Sequence, residues 1–498
     1  MDMNSIRNFT EVFLEITGVI FTVGVFLLVF VIIYMYIVDV TQTSQTIRRN
    51  YPVVGRFRYF FEHMGEFFRQ YFFAQDREEL PFNRAQRSWA YRAAKNVDST
   101  VAFGSTHALN LPGDYLFLNG FIPPLDEEFQ APSAIVFGEG FAKSPYTTTS
   151  FFNISAMSYG ALSGPAVRAL SLGAKQAGIW LNTGEGGISP FHLEGGCDIV
   201  FQMGTAKYGV RDEQGKLCDQ KLRAIASHEQ VRMIEIKLSQ GAKPGKGGIL
   251  PGGKVTEIIA MTRGIPVGED SISPNRHKDI GSIDDLLNMI HRVREVTGKP
   301  VGIKAVIGAV EWLEEICLAI NTRGLQYAPD FITVDSADGG TGAAPQSLMD
   351  YMGLPVKISL PMVVNKLIEH GLRQRIRIIC SGKMINPAGV AGALCLGADC
   401  VNSARGFMFA LGCIQALQCN KNTCPTGITT HDEDLQRGLV PKDKAVRVAD
   451  YAKNIMHEVA MIAHSCGVVE PRLLNRSHVR IINEAGVPIP LSDFVVQQ

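Results

Sequence analysis

The sequence predicts an α/β chain built as eight βα units closed into a (β/α)8 barrel, behind an N-terminal transmembrane helix and a helical connector. Three observations predict it. From Ser150 onward, short apolar runs alternate with helix-like stretches, the pattern of repeated βα units. Most of those runs end on polar, glycine-rich turns, where barrels carry their chemistry. Near the start, 23 consecutive residues carry no charge.

That uncharged run, Ile16 to Val38, would extend about 34 Å as a helix at ~1.5 Å per residue, enough to cross a bilayer. A buried core helix is rarely apolar for so long, and the apolar part of a cleaved signal is shorter. Arg7 precedes the span among Asp2, Glu11 and Glu15, whereas Arg48, Arg49, Arg56 and Arg58 follow it. The positive-inside rule therefore puts the bulk of a single-pass membrane protein in the cytoplasm. Residues 1–15 form a leading segment, 16–38 the span and 39–100 the connector, in which RYFFEHMGEFFRQYFF repeats apolar positions at helical spacing. This amphipathic stretch either lies on the membrane surface or packs on the barrel, and periodicity does not separate the two. Residues 101–498 are assigned to the barrel domain.

The eight expected strands are FFNISAMS, IWLNTGEG, DIVFQMG, MIEIKLSQG, VGIKAVI, FITVDSADGG, IRIICSGKM and CVNSARG. A doubly wound open sheet also carries ligands at its strand ends. The count of eight, with phosphate-type loops on the last two, favours a TIM barrel. Those loops are Ser381-Gly382-Lys383 and Ala404-Arg405-Gly406. Glycine lets backbone amides reach phosphate oxygens and the adjacent cation neutralises them, although glycine pairs also make plain turns. Two such loops at these ordinal positions point to a phosphate-bearing cofactor.

Ten cysteines in 498 residues are too few for a disulfide scaffold. Three of them, Cys413, Cys419 and Cys424, share GCIQALQCNKNTCPTG directly after the eighth strand. Structural zinc sites use four ligands at shorter spacings, whereas iron–sulfur clusters take closely spaced thiolates, often beside a proline such as Pro425. Three thiolates suit a cluster with one open corner. The alternative is small buried residues, the reading adopted for Cys317, Cys395, Cys400 and Cys466. A net charge of zero with 19% charged residues excludes a polybasic nucleic-acid binder.

Between about Phe151 and Gly427 the motifs ISAMSYGALS, LNTGEGG, IKLSQGAKPGKGGILPGGKV, SPNRHKDIGSIDDL, VDSADGGTGAAP and GCIQALQCNKNTCPTG occur in that order. Together they resemble the FMN-binding synthase domain of glutamate synthase. The apolar span followed by RNYPVVGRFRYFFE resembles the membrane-bound branch of FMN-binding glutamate synthase family proteins. The resemblance implies FMN over the strand ends, contacted by Ser155, Ala156, Met157, Asn182, Gln240 and Lys304 and cradled by Gly339, Gly340 and the two phosphate-type loops. It also implies a 3Fe-4S cluster on Cys413, Cys419 and Cys424, through which electrons reach the flavin. Glu185, Lys237, Gln240 and Lys243 would line the 2-oxoglutarate and ammonia site, with Lys304 stabilising charge on the reduced ring. The implied reaction is reductive amination of 2-oxoglutarate to L-glutamate.

An electron-donor protein or reductase subunit is expected as a partner, because no strand–GxGxxG–helix unit for a dinucleotide is found. The start MDMNSIRNFT lacks the processed N-terminal cysteine of a glutaminase domain, so ammonia is expected free or from a separate glutaminase chain. Two positions depart from the family pattern. Lys246 replaces the acidic residue usual in PGEGG, and Lys278 follows His277 where a second histidine is common. Both leave the substrate open. A membrane-linked FMN dehydrogenase for another amino or 2-oxo acid, exchanging electrons with quinone or a carrier, is the rival that the anchor favours. A non-catalytic membrane scaffold is opposed by the retained cysteines, loops and lysines.

Overall fold

Short runs rich in Val, Ile and Phe, most of them leaving the sheet at a polar turn, form eight strands. They are β1 (Phe152–Ile154), β2 (Leu181–Asn182), β3 (Ile199–Met203), β4 (Val231–Lys237), β5 (Val301–Val306), β6 (Phe331–Asp335), β7 (Arg377–Ser381) and β8 (Cys400–Ser403) in the computed structural model. Each runs parallel to the next, and β8 returns to β1 with Val401 opposite Phe152, closing the barrel. Seven lie within the runs that the sequence marks, in the same order, and the fourth, β4, begins two residues ahead of its run, at Val231. They are shorter because the glycine-rich tails of those runs depart as loops.

Several outer helices begin on hydroxyl or amide caps that satisfy otherwise orphaned amides. Ser163 caps Gly164–Ala177, Ser282 caps Ile283–Thr297 and Asn386 caps Pro387–Cys395. The long helix Pro441–Ser465 packs on Gly164–Ala177 and sends the Tyr451 hydroxyl to the Ile385 carbonyl at 3.0 Å.

A hairpin of Ile135–Phe137 and Tyr146–Thr148 supplies Phe137 and Tyr146 to a buried cluster at the amino ends of the strands. The Phe137 ring meets Trp180 and Phe331 edge to face at centroid distances of 5.9 and 5.7 Å, a favourable aromatic geometry. Just before β6, fully buried Asp330 pairs with Arg294 and Arg375, each at 2.9 Å, and accepts the Val301 amide at 2.7 Å. These contacts lie at the end of the barrel opposite the glycine-rich loops.

The structure describes residues 3–491, and the chain divides into two compact units, Met1–Ala85 and Gln86–Gln498. In the first unit Met3–Thr41 is one helix. Its stretch Arg7–Thr41 is long and apolar enough to cross a membrane. At its end Asp39 is fully buried, accepting Arg48 at 2.5 Å, Arg56 at 2.8 Å and the Val53 amide at 3.0 Å. This knot turns the chain into Thr46–Asn50 and Gly55–Phe68, which continues as a π-helical turn over Arg69–Phe73. The second unit begins within the helix Arg84–Ala94.

Truncating Phe137 to alanine should destabilise the barrel unit by about 3–5 kcal/mol, as expected for a fully buried aromatic. Urea unfolding of wild type and variant measures this. A loss below about 1 kcal/mol would mean that the hairpin is not part of the core.

Candidate active site at the strand ends

Along β4 the side chains alternate in direction, so Glu235 and Lys237 share the inward phase. Both are buried. Glu235 accepts Asn182 at 2.8 Å, Gln202 at 2.7 Å and the Thr333 hydroxyl at 2.5 Å, so β2, β3, β4 and β6 are joined by one polar layer. Above it, Lys237 forms an ion pair with Glu185 at 3.0 Å and donates to the Gln240 side-chain oxygen. Lys304, on β5, pairs with Asp335 at the end of β6 at 3.3 Å. The same Asp335 oxygen accepts the Gly241 amide at 3.0 Å.

The electrostatics follow from burial and neighbours. Burial opposes the charge on Lys304, but the carboxylates of Asp335 and Glu235 outweigh it and hold its pKa above the ordinary lysine value. Burial likewise opposes ionisation of Glu185, and Lys237, Lys243 and Arg263 overcome it, so that carboxyl stays below the usual glutamate value. Lys243 is pushed down by burial and by the charge of Lys237. It makes no ion pair among the described residues. His277, whose ring Nε2 meets the Lys237 carbonyl at 2.9 Å, is pushed down to about 4 by burial and by Lys207, and is neutral near pH 7. Lys246 and Lys278, the two departures from the family pattern, are both exposed.

The other expected cofactor residues fall at the rim. Ser155 is buried, and its amide donates to the Ser403 carbonyl at 2.9 Å, extending the β8–β1 closure. Ala156 and Met157 are half-buried. Asn182 is committed to the layer beneath, because its oxygen accepts the Gly184 amide at 3.0 Å while its nitrogen serves Glu235. Gly339 faces Gly241 so closely that an added Cβ would stand 2.7 Å from the Gly241 Cα. Gly340 lies against Arg405 and its carbonyl receives Gln240 at 3.5 Å. Gly406 sits under the Tyr451 hydroxyl.

Around Ser381-Gly382-Lys383 the donor set suits a phosphate. Ser381 is buried, Lys383 is exposed and Arg405 donates to the Asp338 carbonyl. The buried Ser336 hydroxyl beside Gly382 has no partner among the described residues. The helix Arg405–Leu411 begins at Ala404 with no side-chain cap, so its first amides are available to an anion.

Cys413, Cys419 and Cys424 lie on a loop with left-handed backbone at Gln415, Leu417 and Asn422, a conformation unfavourable for such residues unless the surroundings impose it. Asn422 is pinned by the Thr430 hydroxyl at 2.6 Å and by the His431 amide at 2.8 Å. Burial pushes the Cys413 thiol up to about 12 and raises Cys419. Burial acts the same way on Cys424, but hydrogen bonds from Thr426 and Thr429 prevail and lower it. Three soft ligands on an imposed loop fit an iron–sulfur group. An added Cβ at Gly342, in the loop after β6, would stand 3.9 Å from that of Cys419, so the cysteine loop adjoins the rim.

Sequence reasoning did not single out Glu235, Asp335, Arg263 or Lys254. Arg263 is buried, donates to the Ser271 hydroxyl at 3.1 Å and the Tyr159 carbonyl at 3.3 Å, and contributes to holding Glu185 ionised. Glu235 carried a usable signal, since it stands two residues before Lys237 in the same strand phase.

Buried charges gathered at the carboxyl ends of eight closed strands define a (β/α)8-barrel enzyme architecture. Residues 127–469 match the family described as the conserved region in glutamate synthase. The glutamate synthase large subunit-like protein YerD of Bacillus subtilis (strain 168) is 37% identical over 502 residues, covering 93% of this chain and 95% of its own. The archaeal-type glutamate synthase (NADPH) of Dehalococcoides mccartyi is 36% identical over 328 residues, covering 66% of this chain and 62% of its own. The archaeal glutamate synthase (NADPH) of Methanocaldococcus jannaschii is 38% identical over 331 residues, with 66% and 61% covered. The chain thus spans about three-fifths of those two relatives. It belongs to the glutamate synthase family, a family of oxidoreductases.

The depressed Glu185 pKa gives a pH test. A carboxyl held below its ordinary value of 4.5 contributes stability that is present above that value and is lost as pH falls through the folded pKa. Glu185→Gln should therefore be less stable than wild type at about pH 7, and the gap should narrow below about pH 4.5. Thermal melts across that range decide it, and parallel losses in both proteins would remove the ion-pair assignment.

Proposed function

We propose that this chain is a glutamate synthase-type enzyme that converts 2-oxoglutarate and ammonia to L-glutamate by reductive amination. The observation that carries this reading is the group of buried Lys237 and Lys243 with half-buried Glu185, near Lys304, which offers cations for a dicarboxylate and a carboxylate for proton transfer in one place. FMN, when bound, supplies the hydride to the imine carbon, and a 3Fe-4S cluster on Cys413, Cys419 and Cys424 relays its electrons. Lys243, which lacks an ion-pair partner among the described residues, receives one substrate carboxylate. Lys237, already tied to Glu185, orients the Glu185 oxygens. Glu185, kept ionised, accepts a proton from ammonium and returns it as water leaves during imine formation. Lys304, held charged by Asp335, places a positive charge against the developing negative charge at the ring. Backbone amides of the Ser381–Lys383 and Ala404–Gly406 loops hold the FMN phosphate, with Gln240, Ser155 and Met157 beside the ring.

The partner that delivers electrons is a separate protein or reductase subunit, and ammonia arrives free or from a glutaminase chain. The helix Arg7–Thr41 supports a single-pass anchor with the catalytic domain in the cytoplasm. On this reading the chain comprises a leading segment 1–15, a span 16–38, a connector 39–100 and the barrel domain 101–498. The same helix favours a second reading, a membrane-linked FMN dehydrogenase for another amino or 2-oxo acid that exchanges electrons with quinone.

Anaerobically reduced enzyme given 2-oxoglutarate and ammonium should form L-glutamate, and glutamine alone should give none. Reoxidation by quinone or another oxo acid, with none by 2-oxoglutarate and ammonium, would install the second reading instead. Replacing Lys243 by alanine should weaken 2-oxoglutarate binding roughly tenfold to hundredfold, the worth of a charged hydrogen bond of about 1.5–3 kcal/mol, while flavin content is kept. An equal loss of flavin and substrate binding would show that Lys243 serves the fold. In the same preparations Cys419→Ala should lose iron, and unchanged iron content and absorption would reject the cluster.

A further inference from the structure

Lys254 follows the glycine-rich substrate loop, in a single turn of 3-10 helix over Gly252–Lys254. Only 3% of its surface is exposed. Its ammonium donates to the Thr429 carbonyl at 2.7 Å and the Cys419 carbonyl at 3.3 Å. It makes no ion pair among the described residues. A buried ammonium without a counter-ion costs several kcal/mol, and two neutral carbonyls leave its charge uncompensated. It stands over the backbone of Cys419 and within electrostatic reach of the Cys419 and Cys424 sulfurs, and the other charge that reaches it, Arg263, is of its own sign and adds to the need for a negative partner. Three thiolates closing on iron and sulfide make a group of net negative charge, which is what this site lacks.

We propose that Lys254 is the built-in counter-charge of the iron–sulfur cluster at Cys413, Cys419 and Cys424, and that it raises the potential at which the cluster accepts an electron. The inference rests on the cluster reading above. A fixed positive charge in a low-dielectric surrounding stabilises the more negative, reduced state over the oxidised one, and charge near a cluster is one of the levers that set its potential. Lys254 acts as a positioning residue for electron transfer; it touches no substrate atom. Its two carbonyl bonds also tie the cysteine loop at Cys419 to the segment after Thr426, so charge and tether must be separated in the test.

The experiment is an EPR-monitored redox titration of the full-length protein purified without oxygen, as wild type, Lys254→Gln and Lys254→Arg. Glutamine keeps amide donors for the carbonyls and removes the charge; arginine keeps both. The expected result is a midpoint lowered in K254Q by about 60 mV, a tenfold change in a one-electron equilibrium, with K254R close to wild type. A K254Q midpoint equal to wild type overturns the inference. If K254Q loses its iron while K254R keeps it, the charge is required to hold the cluster and the inference stands. If both lose iron, the shape of the tether and not the charge is what matters, and the inference falls. Wild-type protein without iron would instead remove the cluster reading itself.

Discussion

Charges drawn out of water at one end of a closed barrel must neutralise one another, and the site depends on that constraint. Lys304 finds Asp335 and Lys237 finds Glu185. Glu235, wholly inside, is satisfied by three uncharged donors from three other strands. Buried pairs of this kind add little net stability, because desolvation consumes most of the Coulombic gain, yet deleting one partner leaves an uncompensated charge. The arrangement is consequently rigid in composition. Each member of those pairs is retained by the one opposite it, whereas buried Lys243, Lys254 and Arg263 have no ion pair among the described residues.

The opposite end of the barrel solves a different problem by different means. There the interior is sealed by aromatic contacts between the hairpin residue Phe137 and Trp180 and Phe331, and the buried Asp330 carboxylate is met by two arginines and an amide. The Ser336 hydroxyl, without a hydrogen-bond partner among the described residues, and Lys243, without an ion pair among them, lie instead at the strand ends. Stability and chemistry are divided between the two ends, as barrels in general divide them.

The eight strands were legible because a parallel barrel strand is buried on both faces, so it reads as a compact apolar run stopped by a polar turn. The phosphate-type loops and the cysteine triplet were legible because their residues are adjacent in sequence. Asp335 and Glu235 were not. Their partners lie on other strands, Lys304 some thirty residues from Asp335 and Thr333 nearly a hundred from Glu235, and only barrel register brings them together. Lys254 was hidden for the same reason: its acceptors, Cys419 and Thr429, arrive from beyond the eighth strand. The knot at Asp39, with arginines nine and seventeen residues away, is local but follows no helical or strand period, so pattern reading passes over it.

The loop after β6, residues 336–342, explains how these separate solutions are joined. Its Ser336 stands against Gly382 of one phosphate-type loop, and its Asp338 carbonyl receives Arg405 of the other. Gly339 meets the backbone at Gly241, in the loop after β4, and Gly342 approaches Cys419. Small residues are needed because backbone meets backbone at 2.4 to 2.7 Å from where a Cβ would stand between Gly241 and Gly339. A side chain at either position would push the loop after β4 away from Asp335, whose oxygen holds the Gly241 amide and pairs with Lys304. The loop thus links the Ser381–Lys383 and Ala404–Gly406 turns, the segment at Gly241 and the cysteines, through contacts that at Gly241 and Gly339 tolerate almost no added volume. Its glycines answer to that packing, independently of any need to approach a phosphate.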